Sequence, residues 1–229
     1  MGITTHENLL QGSDEWLAAR LGLITASEMK LLVTPTLKIA DNEKTRAHIY
    51  ELAAQRISQY VEPTYVGDDM LRGMDDEIEA RAIYSANVAA LQTVGFITND
   101  KWGFTLGYSP DALVGDNGLI EIKSRRQGLQ VKSMVECFSG GTIPAEYMLQ
   151  VQTGLLVSER DWLDFVSYSG GLHMAVVRVW PDDAIQSAIL EACEAAEEKI
   201  ADAIAQYHAT VAASGFVPTE RKERQEMYV

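Results

Sequence analysis

The sequence predicts an α+β protein in which a small mixed β-sheet is flanked by helices. Three observations support this class: a helical N-terminal third, short β-rich runs in the middle, and a long Ala/Glu-rich helix towards the end. The length of 229 residues suits one domain of generous size, and 47% hydrophobic residues are enough to bury a core. We therefore expect one domain over residues 1–229, with a C-terminal helix over 182–213 and a frayed tail over 216–229.

The helical N-terminal third is predicted from capping signals and apolar periodicity. Ser13 to Leu21 is predicted to form a short helix, and Thr25-Ala-Ser-Glu28 has the spacing of a capping box before the apolar run Met29 to Val33. Apolar residues at helical spacing predict further helices over residues 42–60 and 68–94. Up to that point the chain is expected to be nearly all helix.

The middle of the chain contains the short apolar runs that are typical of strands. Strands are predicted over residues 96–98, 104–108, 112–114, 119–123, 162–168 and 174–180. Gly115-Asp116-Asn117-Gly118 is a strong hairpin turn signal between the third and fourth of these runs. Helices are predicted to intervene over residues 129–137 and 144–157, the second with Pro144 in its favoured first turn.

Composition excludes several classes of protein. Only two cysteines occur, Cys137 and Cys193, so neither a disulfide framework nor a Cys-based zinc site is indicated. The net charge of -14 argues against a protein that coats itself with nucleic acid, although a nucleic-acid enzyme can keep its basic groups in one cleft. The chain has no apolar run of membrane-spanning length and no signal-peptide pattern, so we expect a soluble cytoplasmic protein without membrane contact.

The most informative stretch couples Asp111 to the run Glu121-Ile122-Lys123. Alternation along the strand places Glu121 and Lys123 on one face and Ile122 on the other. If the hairpin loop has three or four residues, Asp111 lies within one residue of being directly opposite Glu121. Two carboxylates and an ammonium group are then close neighbours.

Two carboxylates this close repel each other unless a cation lies between them. Mg²⁺ suits the arrangement, because it prefers oxygen ligands and keeps several waters. Lys123 could then orient or help deprotonate the attacking water, or stabilise charge on a phosphoryl oxygen. The alternative is an exposed hairpin with a simple salt bridge between Glu121 and Lys123, since short patterns of this kind occur often by chance.

A third carboxylate, Glu77, is predicted to point inward. A helical projection of residues 73–91 places Glu77 and Arg81 in one stripe with the apolar residues Met74, Ile78, Tyr84 and Val88. Asp75, Asp76 and Glu79 fall on the opposite face. Because an unpaired inward carboxylate is costly, Glu77 needs a partner. That partner is either the metal region or Arg81, four residues along the helix.

Together these blocks resemble the alkaline exonucleases of phage recombination systems, the lambda-exonuclease type of YqaJ-like viral recombinase within the PD-(D/E)XK nuclease superfamily. The resemblance covers residues 11–180. It rests on five ordered blocks: Gln11–Trp16 with Arg20–Ser27, Gly73 with Glu77 and Ala80-Arg81, Ser109-Pro110-Asp111, Glu121-Ile122-Lys123, and Gln150-Val151-Gln152.

The resemblance implies a restriction-endonuclease-like core and a single nuclease domain. It also implies a processive 5′-to-3′ exonuclease that depends on Mg²⁺, for which Mn²⁺ can substitute, and that acts on ends of duplex DNA carrying a 5′ phosphate. The 3′ overhangs would serve recombination by strand annealing in the bacterial host cytoplasm. A toroidal homotrimer and a single-strand DNA annealing protein are the implied partners. In such a ring the acidic surplus can lie outside while the basic residues line the channel.

The resemblance also assigns the site residues. Asp111, Glu121 and the backbone carbonyl of Ile122 would bind Mg²⁺, Glu77 would reach it directly or through water, and Lys123 would be the catalytic lysine. Gln150 and Gln152 would lie beside the active site.

A pocket for the 5′-terminal phosphate is implied for Arg20, Thr25, Ser27 and Ser109. A helix start near Ser27 offers free backbone N–H groups, and Arg20 adds a bidentate fork, although simple helix capping explains the hydroxyls equally well. The chain departs from the family in one respect. Leu129 stands where the family has a further arginine, and the residues that could replace it are Arg125, Arg126 and Lys132.

Two rival functions use the same residues. A structure-specific or restriction-type endonuclease could use the same metal site, and it would cut circular duplex DNA that has no ends. A noncatalytic DNA-end-binding module is the second rival. It is disfavoured because Asp111, Glu121 and Lys123 are all intact.

Overall fold

The computed structural model describes residues 2–62 and 67–221 and confirms the predicted α+β class. The predicted tail is therefore described only to residue 221, and residues 222–229 lie outside the description. The α-helices of the described chain are α1 (Asp14–Arg20), α2 (Glu43–Ser58), α3 (Asp68–Asn87), α4 (Gln127–Glu136), α5 (Ala145–Ser158) and α6 (Asp183–Ala213). Short 3₁₀ helices span Ala26–Leu31 and Phe138–Gly140.

The strands form two four-stranded mixed sheets rather than one. They are β1 (Ile3–His6), β2 (Ile24–Thr25), β3 (Phe96–Asn99), β4 (Leu106–Tyr108), β5 (Ala112–Val114), β6 (Gly118–Ser124), β7 (Trp162–Tyr168) and β8 (Ala175–Val179). The first sheet has the order β1-β3-β4-β2, and only its β2–β4 pair is parallel. The second has the order β5-β6-β7-β8, with β6 and β7 parallel.

The N-terminal third is less helical than the sequence predicts, because β1 and β2 belong to the first sheet. Ile3 pairs with Asn99 and Ile24 with Leu106, so the partners of both short strands are distant in the sequence and no local pattern marks them. Helix α3 also ends earlier than expected, at Asn87. Beyond it the chain turns, and Gln92 exchanges two backbone hydrogen bonds with Leu113.

The capping box predicted at Thr25–Glu28 does not form. The Thr25 side chain accepts no backbone N–H at the start of the 3₁₀ helix, and its hydroxyl instead donates to the Glu28 carboxylate at 2.8 Å. Arg56 of α2 links the chain just before this segment to helices α2 and α6. The Arg56 guanidinium donates to the Gly22 carbonyl at 2.8 Å and forms two hydrogen bonds of 2.6 Å with Glu197 of α6.

The β5–β6 hairpin has the predicted register. Ala112 pairs with Ile120 and Val114 with Gly118, which leaves a loop of residues 115–117. Gly115 has a φ of 53°, a left-handed conformation that glycine adopts without the strain of a Cβ. Because the pairing runs back towards Asp111, the hairpin directs this residue to the level of Glu121 on the neighbouring strand.

Helix α5 lies centrally between the elements that form the site. It packs against the 3₁₀ helix Ala26–Leu31, strands β3, β4 and β7, and helix α6. Its second half, residues 151–158, is entirely buried. No described helix is long and apolar enough to cross a membrane.

Helix α3 is fastened to the second sheet by a buried polar cluster. Asp164 of β7 is 2% exposed and accepts a hydrogen bond of 2.8 Å from the Tyr84 hydroxyl of α3. Arg178 of β8 donates to both oxygens of the same carboxylate, at 2.8 and 2.9 Å, and stacks over Trp162 at 3.6 Å. Both carboxylate oxygens are thus satisfied, and the position of α3 over the sheet is fixed.

Replacing Asp164 with alanine is expected to destabilise the fold by about 2–3 kcal/mol, because the buried Tyr84 hydroxyl and the Arg178 guanidinium both lose their acceptor. Arg178 can turn towards solvent, which keeps the loss below that of a fully buried pair. Tyr84→Phe removes a single hydrogen bond and should cost about 1 kcal/mol. Urea unfolding of the two variants and the native chain measures this, and an equal loss in both would contradict the assigned role of Arg178.

Candidate active site

The hairpin brings Asp111, which directly precedes β5, together with Glu121 and Lys123 of β6. One Asp111 oxygen accepts a hydrogen bond from the backbone N–H of Ile122. Glu121 is 2% exposed, and its Oε1 accepts from Lys123 Nζ at 2.7 Å and from Gln150 Nε2 at 2.6 Å. The structure therefore places the carboxylate pair and the ammonium group together, as the register predicted.

Glu77 reaches this group from α3 with Arg81 as its partner. Arg81 Nη1 donates to Glu77 Oε1 at 2.6 Å, which is the helical ion pair that the sequence left open. The same nitrogen donates to the backbone carbonyl of Asp111 at 3.3 Å. Arg81 thus connects Glu77 to the start of the hairpin.

The apolar stripe predicted for α3 is wrong. Three of its members are half or more exposed: Met74, Ile78 and Val88. The buried face is narrower and carries Ala80 and Tyr84, which pack on the second sheet. Asp76, expected on the opposite face, is partly buried and accepts a hydrogen bond from Ser124. Glu77 therefore lies at the edge of the contact face, not within an apolar stripe.

The candidate site concentrates the carboxylates of Asp111, Glu121 and Glu77 where burial limits their contact with water. Burial raises the pKa of Asp111 well above its ordinary value, and the nearby Glu121 and Glu77 carboxylates raise it further. Burial also raises the pKa of Glu77, with Arg81 acting in the opposite direction. Burial alone would lower the pKa of Lys123, but the Glu121 and Asp111 carboxylates outweigh it and the pKa is raised.

This donor set fits a hard divalent cation. A buried carboxylate whose pKa is raised by neighbouring negative charge, as that of Asp111 is, gains from a positive ion beside it, and oxygen-only ligands suit Mg²⁺. Within the part of the chain that the structure describes, no group of three or more His, Cys, Asp and Glu side chains is placed to hold a metal. An ion here would thus depend on two carboxylates, with backbone oxygen and water completing its shell, as Mg²⁺ commonly allows.

One cavity joins the carboxylates to the predicted phosphate pocket. This central cavity has a volume of about 190 Å³. Its lining includes Asp111, Glu121 and Gln150 of the candidate metal site. The other lining residues are Gln11, Trp16, Arg20, Ala26, Ser27, Tyr108 and Ser109. Two groups of residues that lie far apart in the sequence therefore face one small space.

Arg20 is held in the cavity wall by an aromatic ring and a hydroxyl. Its guanidinium lies 4.2 Å from the centre of the Trp16 ring and donates to Thr25 Oγ1 at 3.2 Å. Burial lowers the pKa of Arg20, whereas Glu28 raises it. Trp16 Nε1 also donates to Ser109 Oγ at 2.9 Å, which connects α1 to the Ser109-Pro110-Asp111 turn.

Two of the three predicted hydroxyl ligands, Thr25 and Ser27, differ in position. Thr25 is buried and its hydroxyl donates to Glu28, so it supports Arg20 from behind and does not line the cavity. Ser27 is exposed and lines the cavity. Of the two, only Ser27 is placed to meet a ligand there.

Comparison with known proteins identifies the family. Residues 15–161, more than half of the chain, match the YqaJ-like viral recombinase domain. The chain belongs to this family. The resemblance inferred from the sequence motifs is thereby confirmed.

Solved structures agree with this YqaJ-like assignment. The chain is similar to the alkaline exonuclease LHK-Exo from Laribacter hongkongensis, with 30% identity, a TM-score of 0.76, and coverage of 88% of this chain and 99% of that one. The complex of LHK-Exo with dAMP gives the same identity and coverage and a TM-score of 0.77. A phage-related exonuclease from Haemophilus somnus 129PT, at 14% identity, a TM-score of 0.57, and coverage of 81% of this chain and 96% of that one, shows the fold alone. No curated protein sequence matches significantly.

Of the two glutamines predicted beside the active site of this YqaJ-like domain, only Gln150 lies there. Gln152 is buried on the other side of α5, where it donates to the Trp180 carbonyl at 2.8 Å and accepts from the Asp182 N–H at 2.9 Å. The expected position of Gln152 is therefore wrong. Its hydrogen bonds fix the segment that enters α6.

Among the basic residues proposed to follow Lys123 in the site, Arg125 is the buried one. It is 7% exposed and donates to the Tyr147 hydroxyl at 2.5 Å and to Glu146 at 3.1 Å. The Tyr147 ring also lies 5.3 Å from the Lys123 ammonium. Three other positions are exposed on or beside α4: Arg126, Leu129 and Lys132, the last of which pairs with Glu136. Arg125 is thus linked to the carboxylate cluster through Tyr147 and Lys123.

Two cavity residues, Trp16 and Tyr108, were not predicted as functional. Trp16 belongs to a motif block, but no local signal indicates that its indole N–H reaches Ser109. The Tyr108 hydroxyl donates to Glu121 Oε2 at 2.8 Å, and burial together with the Glu121 charge raises the pKa of this tyrosine well above its ordinary value. This contact joins the two sheets, so it depends on tertiary structure that the sequence does not reveal.

Proposed function

We propose that the protein is a Mg²⁺-dependent exonuclease that removes nucleotides from the 5′ end of duplex DNA and leaves 3′ single-stranded overhangs. The observation that carries the proposal is the central cavity, which joins the Asp111–Glu121 pair to the Arg20 pocket. A strand that binds this pocket by its terminal phosphate has its first phosphodiester close to the carboxylates. The family and the alkaline exonuclease relatives support an exonuclease in general, and LHK-Exo has been solved in complex with dAMP.

The shape of the pocket favours a strand end over a continuous strand. The Arg20 guanidinium lies 4.2 Å from the centre of the Trp16 ring and 5.8 Å from that of the Phe96 ring, so two aromatic side chains fix its position in the cavity wall. A cavity of about 190 Å³ has room for a terminal phosphate and part of its nucleotide, but not for a duplex. The pocket would therefore recognise the end of a strand by its terminal phosphate.

Each residue has a distinct part in the proposal. Asp111, Glu121 and the Ile122 carbonyl would hold Mg²⁺, and Glu77 would reach it through water. When bound, the ion, for which Mn²⁺ can substitute, would supply Lewis acidity at the phosphate and activate the attacking water. Lys123 orients that water or stabilises charge on the phosphoryl oxygen, while Gln150 holds Glu121. The terminal phosphate would contact Arg20, Ser27 and Ser109, and the DNA backbone would contact Arg126, which is exposed beside α4. Arg125 is buried and would support the site through its hydrogen bond to Tyr147.

The wider setting is proposed from the family resemblance. A homotrimeric ring would encircle the duplex, so that processivity comes from topology, and the net charge of -14 would lie largely outside the channel. A single-strand annealing protein would receive the overhang. The protein would act in the cytoplasm of a bacterial host.

Digestion of linear duplex DNA with strand-specific end labels tests the activity and its polarity. Loss of the 5′ label as mononucleotides, only in the presence of Mg²⁺, is the expected result. A closed circular duplex of the same sequence is the control, because it has no ends. Cutting of the circle would identify an endonuclease, and release of the 3′ label first would reverse the proposed polarity.

Arg20→Ala is expected to slow processing of a 5′-phosphorylated duplex by about ten- to a hundredfold, since a charge-assisted hydrogen bond contributes roughly 1.5–3 kcal/mol. Rates are compared for native and variant protein on 5′-phosphoryl and 5′-hydroxyl duplexes of one sequence. The native preference for phosphate should shrink in the variant. An equal loss on both ends would mean that Arg20 supports the fold or holds the duplex in general.

A further inference from the structure

We infer that Tyr108 is a positioning residue that holds Glu121 so that its Oε2 atom faces the divalent cation. The inference rests on the proposed function, because it concerns the same metal site. Oε2 is then the Glu121 oxygen that binds the ion, and Tyr108, which lies outside the sequence motifs, fixes the orientation of the carboxylate.

The hydrogen bonds of Glu121 divide its two oxygens. Oε1 accepts from both Lys123 Nζ and Gln150 Nε2, at 2.7 and 2.6 Å, which uses both of its lone pairs. Oε2 accepts only the Tyr108 hydroxyl, at 2.8 Å, among its contacts in the described chain. One lone pair of Oε2 therefore remains for a cation, and the Tyr108 hydroxyl determines its direction.

The surroundings fix Tyr108 firmly. It is 1% exposed at the end of β4, and it pairs with Ile97 of β3. Gly154 of α5 lies against the ring, and a Cβ atom at this position would be 2.7 Å from Tyr108 Cζ. Glycine destabilises the interior of a helix relative to alanine, so its presence here is explained by the space that the ring needs.

A group that orients a metal ligand without touching the metal has a characteristic effect. Loss of such a partner typically weakens metal binding or activity by about 10- to 100-fold. Tyr108→Phe keeps the ring and removes only the hydroxyl. Glu121 then keeps its two Oε1 partners but can rotate, which costs metal affinity without removing a ligand.

The experiment measures Mn²⁺ binding to the full chain by electron paramagnetic resonance, without DNA. Tyr108→Phe is expected to weaken Mn²⁺ binding by about 10- to 100-fold. The matched control is Tyr84→Phe, which removes a tyrosine hydrogen bond of the same 2.8 Å length to another buried carboxylate, Asp164, away from the central cavity. This control should bind Mn²⁺ as the native chain does.

A second variant approaches the same contact from the other side. Gly154→Ala keeps the Tyr108 hydroxyl but displaces the ring, so it should also weaken Mn²⁺ binding. In the Tyr108→Phe background the alanine should add little further loss, because the contact that it disturbs is already absent. Additive losses would contradict the inference, since they would place the effect of Gly154 elsewhere.

Hydrolysis gives an independent readout. The Mg²⁺ concentration for half-maximal rate should rise in Tyr108→Phe, while the rate at saturating Mg²⁺ returns close to the native value. Native-like Mn²⁺ binding by Tyr108→Phe would overturn the inference and leave the proposed function in place. A native chain that binds no Mn²⁺ would overturn the metal site itself, and the role of Tyr108 with it.

Discussion

Asp111→Asn is expected to reduce hydrolysis of linear duplex DNA by at least about a thousandfold, because metal Lewis acidity supplies several kcal/mol of transition-state stabilisation. The asparagine oxygen can still accept the Ile122 N–H, so the hairpin should fold as in the native chain. What is lost is the negative charge that attracts the cation. Chelation of Mg²⁺ in the native protein should have the same effect.

The carboxylate at 121 is expected to be equally sensitive but harder to replace. Three donors converge on Glu121, from Lys123, Gln150 and Tyr108, and a glutamine would direct its own NH₂ group at one of them. Glu121→Ala should abolish hydrolysis because it removes a metal ligand. It should also lower the free energy of unfolding, because the three donors lose their acceptor. For this reason Asp111→Asn is the clearer test of the metal site.

Single-turnover digestion of end-labelled linear duplex at ordinary Mg²⁺ concentration measures the effect. Asp116→Asn is the matched control, because Asp116 is an exposed carboxylate in the loop of the same hairpin. It should digest DNA at the native rate. Vigorous digestion by Asp111→Asn would remove this carboxylate from the mechanism.

The sequence predicts the carboxylate pair well because that pair depends on local geometry. A glycine-rich turn sets a short loop, strand alternation sets the faces, and together they bring Asp111 to the level of Glu121. Lys123 follows from the same alternation. No contact distant in sequence is needed to place these three residues.

Helix geometry could have corrected one of the predictions. Gln150 and Gln152 are two residues apart on α5, and an α-helix advances about 100° per residue, so their side chains point in nearly opposite directions. Only one of them can face the site. The structure places Gln150 on Glu121 and Gln152 on the segment before α6.

The remaining features depend on pairing between distant segments. Parallel pairing of Thr25 with Gly107 brings the start of the 3₁₀ helix, which carries Ser27, beside the segment that carries Ser109. The apolar stripe of α3 fails for a related reason: periodicity shows that a helix has an apolar face, but not how wide a face its neighbour covers. Here the contact is narrow, and Ile78 is 61% exposed.

Lys123→Ala is expected to lower turnover by about 10²- to 10⁴-fold, the usual value of an electrostatic or proton-transfer contribution in the transition state. The Lys123 ammonium lies 2.7 Å from Glu121 Oε1, beside the carboxylates, and only 22% of its side chain is exposed. Folding and duplex binding should remain nearly intact. The hairpin backbone places the carboxylates, and contacts with Trp16 and Thr25 place Arg20, so neither needs the Lys123 side chain. Mn²⁺ binding should not weaken either, since a competing cation is removed from Glu121.

The control is designed against the simplest alternative, in which Lys123 is only the partner in an ion pair. Lys101→Ala removes an exposed lysine that pairs with Glu159, outside the central cavity, and it should leave turnover unchanged. Turnover, duplex affinity and Mn²⁺ binding are measured for both variants and for the native chain. If Lys123→Ala turns over at a near-native rate, its contact with Glu121 is a simple salt bridge. A loss of turnover accompanied by an equal loss of Mn²⁺ binding would instead make Lys123 a support for the metal site. Only a loss of turnover with metal and duplex binding preserved assigns the ammonium to the reacting phosphate.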